Sequence, residues 1–345
     1  MSAQAYAKAV VYVRSVLRLL LKPEVLREVV EAGSFHEALA TLPETIYPGL
    51  RDAKSPSDAE RAIWAGLLEA YSKAARLSPP HVRPAILLPA ALEELKDLLI
   101  LMDAAQRGAA EAVARRIPTA AVGWSETSKL SREPEALQSP QRLVESISSP
   151  ALRARASSAL QLSQRWRASP LLYYAAGALE AASEAISSVP PRERRLYISV
   201  VCPRLRYIVV SGLLQAKDQG VDPRMLGEAF GAKTACGLSW RLLRGSYERE
   251  PDPQGLAQSL QHLIPGWRAE GSIPSILEAA RRAVRASLWS RASAAIAGYP
   301  FQAGFIAGGM ELVRLQSEDL MMVLSAVHLG LKPDDYLYRM AVALK

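Results

Sequence analysis

The histidines and cysteines of this chain are the side chains best suited to metal binding or nucleophilic catalysis. None stands at the spacing of a metal-ligand motif. No serine, cysteine and histidine together offer a nucleophile, a base and an orienting group. Two thiols in 345 residues are typical of a reducing compartment, which favours a cytoplasmic location. The residues are His36, His81, His262, His328, Cys202 and Cys236.

Two further motifs approach known chemistry without completing it. The segment from Gly227 to Thr234 resembles a phosphate-binding loop, but one extra residue separates Gly231 from Lys233 and no strand precedes it. The pair Asp334-Asp335 resembles the metal-binding carboxylates of all-α isoprenoid enzymes, but no acidic partner follows at helical spacing. We expect it to begin a helix after a proline, where acidic residues are stabilised. The sequence thus predicts no catalytic, cofactor-binding or metal site, and a protein that is not an enzyme.

Clusters of arginine are the remaining candidates for function. The formal net charge is +8, which suits nucleic acid, an anionic membrane surface or an acidic protein. The clusters contain few interleaved aromatic residues, unlike many single-strand nucleic-acid binders. Two interpretations stay open: solvated helix faces, or docking patches for an acidic partner. The candidate docking residues are Arg192, Arg194, Arg195, Arg281, Arg282 and Arg285.

Composition indicates the elements that must position these residues. Half of the chain is apolar and only 6% is aromatic, with abundant Ala and Leu, which favours helices over sheet. We find no hairpin or alternating strand, and predict an all-α fold. The chain contains no asparagine and little Lys beside Arg. That pattern is typical of proteins from hot environments, although biased base composition produces part of it as well.

Two kinds of anchor indicate a threefold internal repeat. Helix starts are predicted at Ser34, Ser139 and Asp252, whose side-chain oxygens can cap a first helical turn, and Glu37 is expected to complete a capping box in the first copy. Apolar helical runs end at glycines 108, 220 and 330, which suit the left-handed conformation after a helix. Successive offsets are close to one third of the chain. We predict three helical units, 1–120, 121–232 and 233–345.

Three stretches carry separate expectations. The segment Ala292–Met310 has no charged residue, but its glycines and Pro300 favour a buried helical hairpin over a membrane span. The stretch Gly123–Pro150 is rich in Ser, Pro and charge, and is expected to be an exposed connection or a loosely packed start of the second unit. The first apolar stretch is interrupted by basic residues, so no signal peptide is expected.

Four motifs spread over the chain follow the pattern of one known family. The first is Tyr6–Arg14 followed by two leucines, which is similar to a Tyr…Ala-Arg-Val-Arg…Leu-Leu signature. The second, Leu42–Tyr47, resembles Leu-x-Glu-Thr-x-Tyr. The third, Leu95–Gly108, is similar to an Asp-Leu-x-Asn-Leu…Gly helix. The fourth, Pro300–Asp319, parallels a C-terminal helix pair.

By these motifs the chain resembles the central-stalk subunits of C type in the V/A-type rotary ATPases, which are of d type in eukaryotes. It departs from the family where Asp97 and Met322 replace the usual Asn, and where Tyr12 and Met321 replace a frequent Arg. Two roles fit the matched residues: holding helices together, which we favour, or contacting a partner. The matched residues concerned are Arg14, Glu44 and Tyr47.

The resemblance implies a funnel-like body of three helical bundles on the cytoplasmic face of the membrane, peripheral and without a span. Its partners would be the central shaft subunits of D and F type and the proteolipid ring, with no nucleic acid. It would transmit torque between shaft and ring while ATP synthesis or hydrolysis and proton or sodium transport occur elsewhere. The alternative is a cytoplasmic α-helical repeat scaffold or a basic nucleic-acid-binding protein.

Overall fold

The protein is all-α, as the composition predicts. The computed structural model describes residues 3–165 and 170–341, of which 77% are helical and 1% are in strands. Short 3-10 helices cover Ala3–Tyr6, Leu50–Asp52, Pro80–Val82, Pro118–Ala121, Ala136–Gln138, Gln261–Leu263, Pro333–Asp335 and Leu337–Arg339. The α-helices are α1 (Ala7–Arg18), α2 (Pro23–Glu31), α3 (Phe35–Thr41), α4 (Pro56–Leu77), α5 (Arg83–Gln106), α6 (Ala110–Ala114), α7 (Glu126–Leu130), α8 (Pro140–Ser146), α9 (Pro150–Arg165), α10 (Pro170–Ser188), α11 (Pro191–Asp218), α12 (Pro223–Phe230), α13 (Trp240–Arg249), α14 (Pro253–Leu260), α15 (Ile273–Ala297) and α16 (Ala303–His328).

The three predicted helix starts are confirmed. Ser34, Ser139 and Asp252 are the N-caps of α3, α8 and α14, and each side-chain oxygen accepts a backbone N–H three residues later. The reciprocal half of the capping box differs from expectation, because Glu37 accepts from the N–H of Gly33 at 2.8 Å, one residue before the cap. The local chemistry still satisfies the free donors of the first turn.

The three predicted helix ends are confirmed as copies of one motif. Glycines 108, 220 and 330 have φ values of 68°, 65° and 65°. In each copy the residue after the glycine donates to the carbonyl of an alanine five residues earlier, the pattern of a Schellman ending. The distances are 2.9 Å for Ala109 to Ala104, 2.9 Å for Val221 to Ala216 and 3.0 Å for Leu331 to Ala326.

Two long helices in succession precede each of these glycines: α4 with α5, α10 with α11, and α15 with α16. The order of elements therefore recurs along the chain. By contacts between Cα atoms, the residues group into two compact units. Unit 1 comprises residues 1–87, 189–200 and 285–345, and unit 2 comprises 88–188 and 201–284. Helices α5, α11 and α15 have residues in both. The division into 1–120, 121–232 and 233–345 stays a prediction about the repeated order.

Helix α16 lies at the core of unit 1, and three of its glycines allow other helices to pack closely against it. A Cβ added at Gly304 would lie 2.6 Å from Leu196 Cγ of α11, and one at Gly308 would lie 2.8 Å from Ala295 Cβ of α15. A Cβ at Gly309 would lie 2.3 Å from Val13 Cγ1 of α1. Each glycine thus admits a different helix to close packing. The Gly-rich segment packs helices against one another inside this unit.

Polar side chains of α16 add specific ties to the same core. The Gln316 side-chain amide exchanges two hydrogen bonds of 2.7 Å with the backbone of Leu21, just after α1. The Tyr71 hydroxyl of α4 donates to the carbonyl of Met310 at 3.3 Å. Because these groups are buried, each hydrogen bond removes an unsatisfied polar group from the interior.

The charge-free segment Ala292–Met310 forms the predicted helical hairpin, but residues 297–299 at its turn are exposed and not buried. Helix α15 ends at Ala297, and α16 begins at Ala303 after a loop that contains Pro300. Among the described residues a different helix, α11, is long and apolar enough to cross a membrane, although 56% of its most apolar window is buried within the protein. A core helix passes the same test, so this is weak evidence for a span.

The expectation for the stretch Gly123–Pro150 holds only in part, because residues 132–135 are exposed but other parts are well packed. Residues 125–128, at the start of α7, are buried, because unit 2 supplies partners for their polar groups. Asp97 of α5 accepts hydrogen bonds from the backbone N–H of Thr119 at 3.1 Å and from its hydroxyl at 2.6 Å. The Glu94 carboxylate accepts from the backbone N–H of Glu126. Composition alone missed these contacts, since they join residues 22 and 32 positions apart.

One expectation fails where α12 meets α13, and another loses its basis. The strands β1 (Thr234–Ala235) and β2 (Leu238–Ser239) form an antiparallel hairpin, although the sequence predicts none. Its two-residue loop contains Cys236, which is joined to Cys202 of α11 in a disulfide. The cysteines therefore carry no argument for a reducing compartment. Their 34-residue separation matches no recognisable motif, so only the fold brings them together.

Candidate docking surface around Glu193

The first predicted arginine cluster lies in the first turn of α11, in unit 1. Pro191 occupies the first helical position, where no donor is needed. Arg192 and Arg195 are exposed, and Arg194 is half-buried with its Nε donating to the carbonyl of Val189 at 2.7 Å. A guanidinium presents a planar fork of donors that fits a carboxylate or phosphate. Two of the three arginines are thus exposed on the surface of unit 1.

A buried carboxylate fixes the position of this turn. Glu193 is 5% exposed, and its Oε2 accepts the Tyr6 hydroxyl at 2.7 Å and the backbone N–H of Ala303 at 3.0 Å. Burial and the hydrogen bond to Glu193 raise the pKa of Tyr6 above its ordinary value, although the nearby Arg192 opposes this rise. Three separate segments of unit 1 therefore meet at one oxygen: the 3-10 helix before α1, the start of α11 and the start of α16.

An aromatic loop lies beside this turn, since it directly precedes α16. Tyr299 is 61% exposed, and its ring meets that of Phe301 edge to face with centroids 5.6 Å apart. The Gln302 side chain donates to the carbonyl of Tyr299 at 2.8 Å and closes the loop. Tyrosine and arginine are the side chains enriched in the energetic centres of protein interfaces. We call Arg192, Arg194, Arg195, Tyr299 and Phe301 the docking surface.

Sequence reasoning found the arginines of this surface and missed the aromatic residues. Phe301 belongs to one family motif, and Tyr299 belongs to none of the patterns described above. The sequence does offer one signal for them, which is the pair of aromatic residues in a short Gly-Tyr-Pro-Phe segment. Its nearness to α11 depends on the contact between Glu193 and Ala303, which are 110 positions apart.

The three residues of the second arginine cluster differ in burial. Arg281 and Arg282 are exposed residues of α15 in unit 2. Arg285 belongs to unit 1 and is only 6% exposed, so its assignment to a docking patch is wrong. Its guanidinium forms ion pairs with Glu318 and Asp319 of α16. Helical spacing does not explain the difference, because residues three or four apart lie on the same side of a helix. Arg285 is buried because the carboxylates of α16 pack against it.

The buried charges around Arg285 form a network. Arg314 Nε lies 3.1 Å from Glu318 Oε1, so two arginines share two carboxylates in the interior of unit 1. Asp319 is fully buried and also accepts the backbone N–H of Ala341 at 3.0 Å. Buried charges are tolerated only when paired and hydrogen-bonded. This network holds the final described residues against α16. Its charged groups form ion pairs with one another.

The residues that carry the family resemblance differ in burial and in their contacts. Tyr47 is buried with its hydroxyl 2.8 Å from Ser317 Oγ of α16, and burial raises its pKa to about 12. Arg14 is exposed, with its guanidinium carbon 5.9 Å from the centre of the Phe305 ring. Glu44 is exposed. Arg14 joins α1 to α16, and Tyr47 joins the loop after α3 to α16, which supports a structural role for these two residues within unit 1.

Two buried carboxyl groups in unit 2 have perturbed acidity. Burial raises the pKa of Glu94 to about 7, and that of Asp97 to about 6, although hydrogen bonds to each carboxylate oppose the rise. Such shifts occur at catalytic sites and at structural ones. Here both groups accept hydrogen bonds from the chain between Thr119 and Glu126. Their observed contacts therefore fix that segment to α5.

The two incomplete motifs have structural partners. Lys233, of the segment resembling a phosphate loop, donates to the carbonyl of Ala229 at 3.1 Å and lies 3.0 Å from Glu180. Asp334 and Asp335 occupy the first turn of a 3-10 helix after Pro333, as predicted for a helix start. Across residues 3–165 and 170–341, no group of three or more His, Cys, Asp and Glu side chains is arranged to hold a metal ion.

No protein-family model matches the sequence, and no curated protein shows significant similarity to it.

Proposed function

We propose that this protein is the component of a V/A-type rotary ATPase that links the rotor shaft to the membrane proteolipid ring. It transmits torque between them and has no catalytic site of its own. ATP synthesis or hydrolysis and the coupled proton or sodium transport belong to other subunits. Its three helical bundles form a funnel-like body, which lies peripherally on the cytoplasmic face of the membrane.

The observation that carries the proposal is the threefold recurrence of one helix ending. Two long helices and a Schellman glycine recur at positions 108, 220 and 330, with an alanine carbonyl accepting the same hydrogen bond each time. The family that the motifs resemble is built of three similar helical domains. Apart from Gly108, which belongs to both patterns, the repeat and the resemblance were inferred from different residues, so the two lines of support are largely separate.

A torque-transmitting part must resist deformation, and the packing of unit 1 suits that task. Helix α16 contacts three helices through glycines, at positions where an added Cβ would clash. It is further tied by Gln316 to Leu21 and by Tyr47 to Ser317. Closely packed interiors have low compressibility and transmit strain. Unit 1 would thus rotate as a body and pass twist on.

The docking surface supplies a contact for an acidic partner. Arg192 and Arg195 are exposed beside the Glu193 anchor, and the exposed Tyr299 adds apolar area. Charge complementarity accelerates association and fixes orientation more than it raises affinity. We assign this surface to one of the rotor components, the shaft or the ring.

Co-purification from native membranes tests the proposal. The full-length protein, tagged and expressed in its host, is recovered after mild detergent extraction, and the associated proteins are identified by mass spectrometry. Recovery with shaft and proteolipid subunits in constant proportion supports the rotary function. Recovery without any ATPase subunit contradicts it. Steeply salt-dependent binding to oligonucleotides at physiological ionic strength would instead favour a nucleic-acid-binding protein.

A further inference from the structure

The only two cysteines of the chain are joined to each other, and they hold a small hairpin against a long helix. Cys202 lies within α11 and is 3% exposed, whereas Cys236 lies in the hairpin loop and is partly exposed. Strands of two residues each form a marginal hairpin by themselves. The disulfide therefore supplies a covalent tie where backbone pairing is weak.

The loop conformation explains what the disulfide does locally. Ala235 pairs with Leu238, which leaves Cys236 and Gly237 as a two-residue loop with φ values of 58° and 75°. This is the type I′ pattern, which favours Asn, Asp or Gly at its first position. Among the described residues, Cys236 is the one non-glycine residue with positive φ. A cysteine at this disfavoured position is explained by its bond to Cys202.

A second tie runs from the same helix face. Arg206, one turn after Cys202, donates through Nη2 to the carbonyl of Cys236 at 3.3 Å and through Nη1 to that of Leu263 at 3.4 Å. These hydrogen bonds involve no sulfur atom, so a thiol reductant that opens the disulfide does not break them. Reduction should therefore loosen the hairpin without unfolding the rest of unit 2.

We propose that Cys202–Cys236 is a redox-responsive staple that thiol reductants open from the Cys236 side. This inference does not depend on the rotary function. Access decides the direction, because Cys202 is buried among helices while Cys236 has exposed surface. Opening loosens the hairpin between α12 and α13, and closing restores its covalent tie to α11.

The chemistry balances with a thiol as the reductant. A reductant thiolate attacks Cys236 Sγ, the sulfur–sulfur bond breaks, and Cys202 leaves as a thiolate that takes up a proton. A second reductant thiol then attacks the mixed disulfide and releases Cys236 as a thiol. Two electrons and two protons pass to the protein, and two reductant thiols become one disulfide.

Mass spectrometry on the full-length protein tests both parts. Purified without reductant, the denatured protein should take up no alkylating reagent, and two equivalents after reduction. Brief treatment of the native protein with the monothiol glutathione, then acid quenching, should give a mixed disulfide on Cys236 at least tenfold more often than on Cys202. Two alkylatable thiols before reduction would overturn the staple, and equal or preferential labelling of Cys202 would overturn the direction.

Two double variants separate the staple from the turn. Cys202→Ala combined with Cys236→Ala should lower the melting temperature by about 5 °C, the scale expected for the loss of a disulfide from a chain of this size. Cys202→Ala with Cys236→Gly should recover roughly 1–2 °C of that loss, since glycine accepts the left-handed conformation without strain. Melting temperatures of both variants equal to that of the oxidised wild type would contradict the proposal.

Discussion

The Tyr6 hydroxyl donates a hydrogen bond to Glu193 Oε2 at 2.7 Å, although 187 positions separate the two residues. The same oxygen accepts the N–H that opens α16. One buried carboxylate thus joins three segments of unit 1.

Removing this anchor should destabilise the protein. Glu193→Ala leaves the Tyr6 hydroxyl and the Ala303 N–H buried without an acceptor, so we expect a loss of about 2–3 kcal/mol in the free energy of unfolding. Tyr6→Phe, which removes one donor, should cost about 1 kcal/mol. Urea unfolding followed by circular dichroism measures both. Tyr299→Phe, at an exposed tyrosine, is the control; losses equal to the control would refute the anchor.

The close packing of α16 predicts opposite effects for two Gly→Ala variants. Gly309→Ala places a Cβ 2.3 Å from Val13 Cγ1, so α1 must shift, and we expect a loss of about 1–3 kcal/mol. Gly245→Ala in the exposed face of α13 meets no atom within 4 Å and should gain about 0.5–1 kcal/mol from helix propensity. Thermal and urea unfolding test this, and equal signs would contradict the packing argument.

The buried ion pairs predict a large asymmetry between neighbouring arginines of α15. Arg285→Ala leaves Asp319 and Glu318 with less compensating charge in the interior, and should cost about 3–5 kcal/mol. Arg281→Ala changes an exposed residue and should stay within about 0.5 kcal/mol of the wild type. Denaturant unfolding distinguishes the two. A small loss of stability in Arg285→Ala would contradict this prediction, because it would mean that water solvates the carboxylates of Glu318 and Asp319.

Asp97 predicts a specific dependence of stability on pH. Its pKa rises to about 6 in the folded state from an ordinary value of about 3.9, so the folded protein binds more protons between these values. The Asp97 contribution to stability therefore falls as pH rises from about 4 to 6, and the penalty is complete above 6. Asp97→Asn keeps an acceptor for Thr119 and removes the charge.

We expect Asp97→Asn to be at least as stable as the wild type at pH 7 and to have a flatter stability profile between pH 4 and 6. Urea midpoints at half-unit pH intervals measure this. A variant less stable at every pH would mean that the ionised carboxylate is favourable at this position.

The docking surface predicts a salt-sensitive interaction. Arg192→Glu with Arg195→Glu should weaken binding of the purified shaft or ring at least tenfold near 0.1 M salt, because attraction becomes repulsion. The control Arg281→Glu with Arg282→Glu makes the same charge change in unit 2. Equal losses of binding affinity in both double variants would indicate an attraction that depends on net charge and not on this surface. No loss and no salt dependence in the first variant would exclude this surface.

The sequence by itself determined the helices and their ends. Ser34, Ser139 and Asp252 cap helices, and Gly220 ends one, through hydrogen bonds that span no more than six residues. Such contacts form from the local chain, whatever surrounds it. The break at Pro300 and the all-α class were predictable for the same reason, since propensity and missing donors act at single residues.

Only the tertiary structure decided which charged and reactive side chains meet. It paired Cys202 with Cys236, buried Arg285 beside Asp319, and placed Glu193 against Tyr6. It also buried residues 125–128, whose composition is that of an exposed loop. These contacts join segments from 22 to 187 positions apart. A side chain's burial depends on what the rest of the chain packs against it, and no local pattern of residues encodes that.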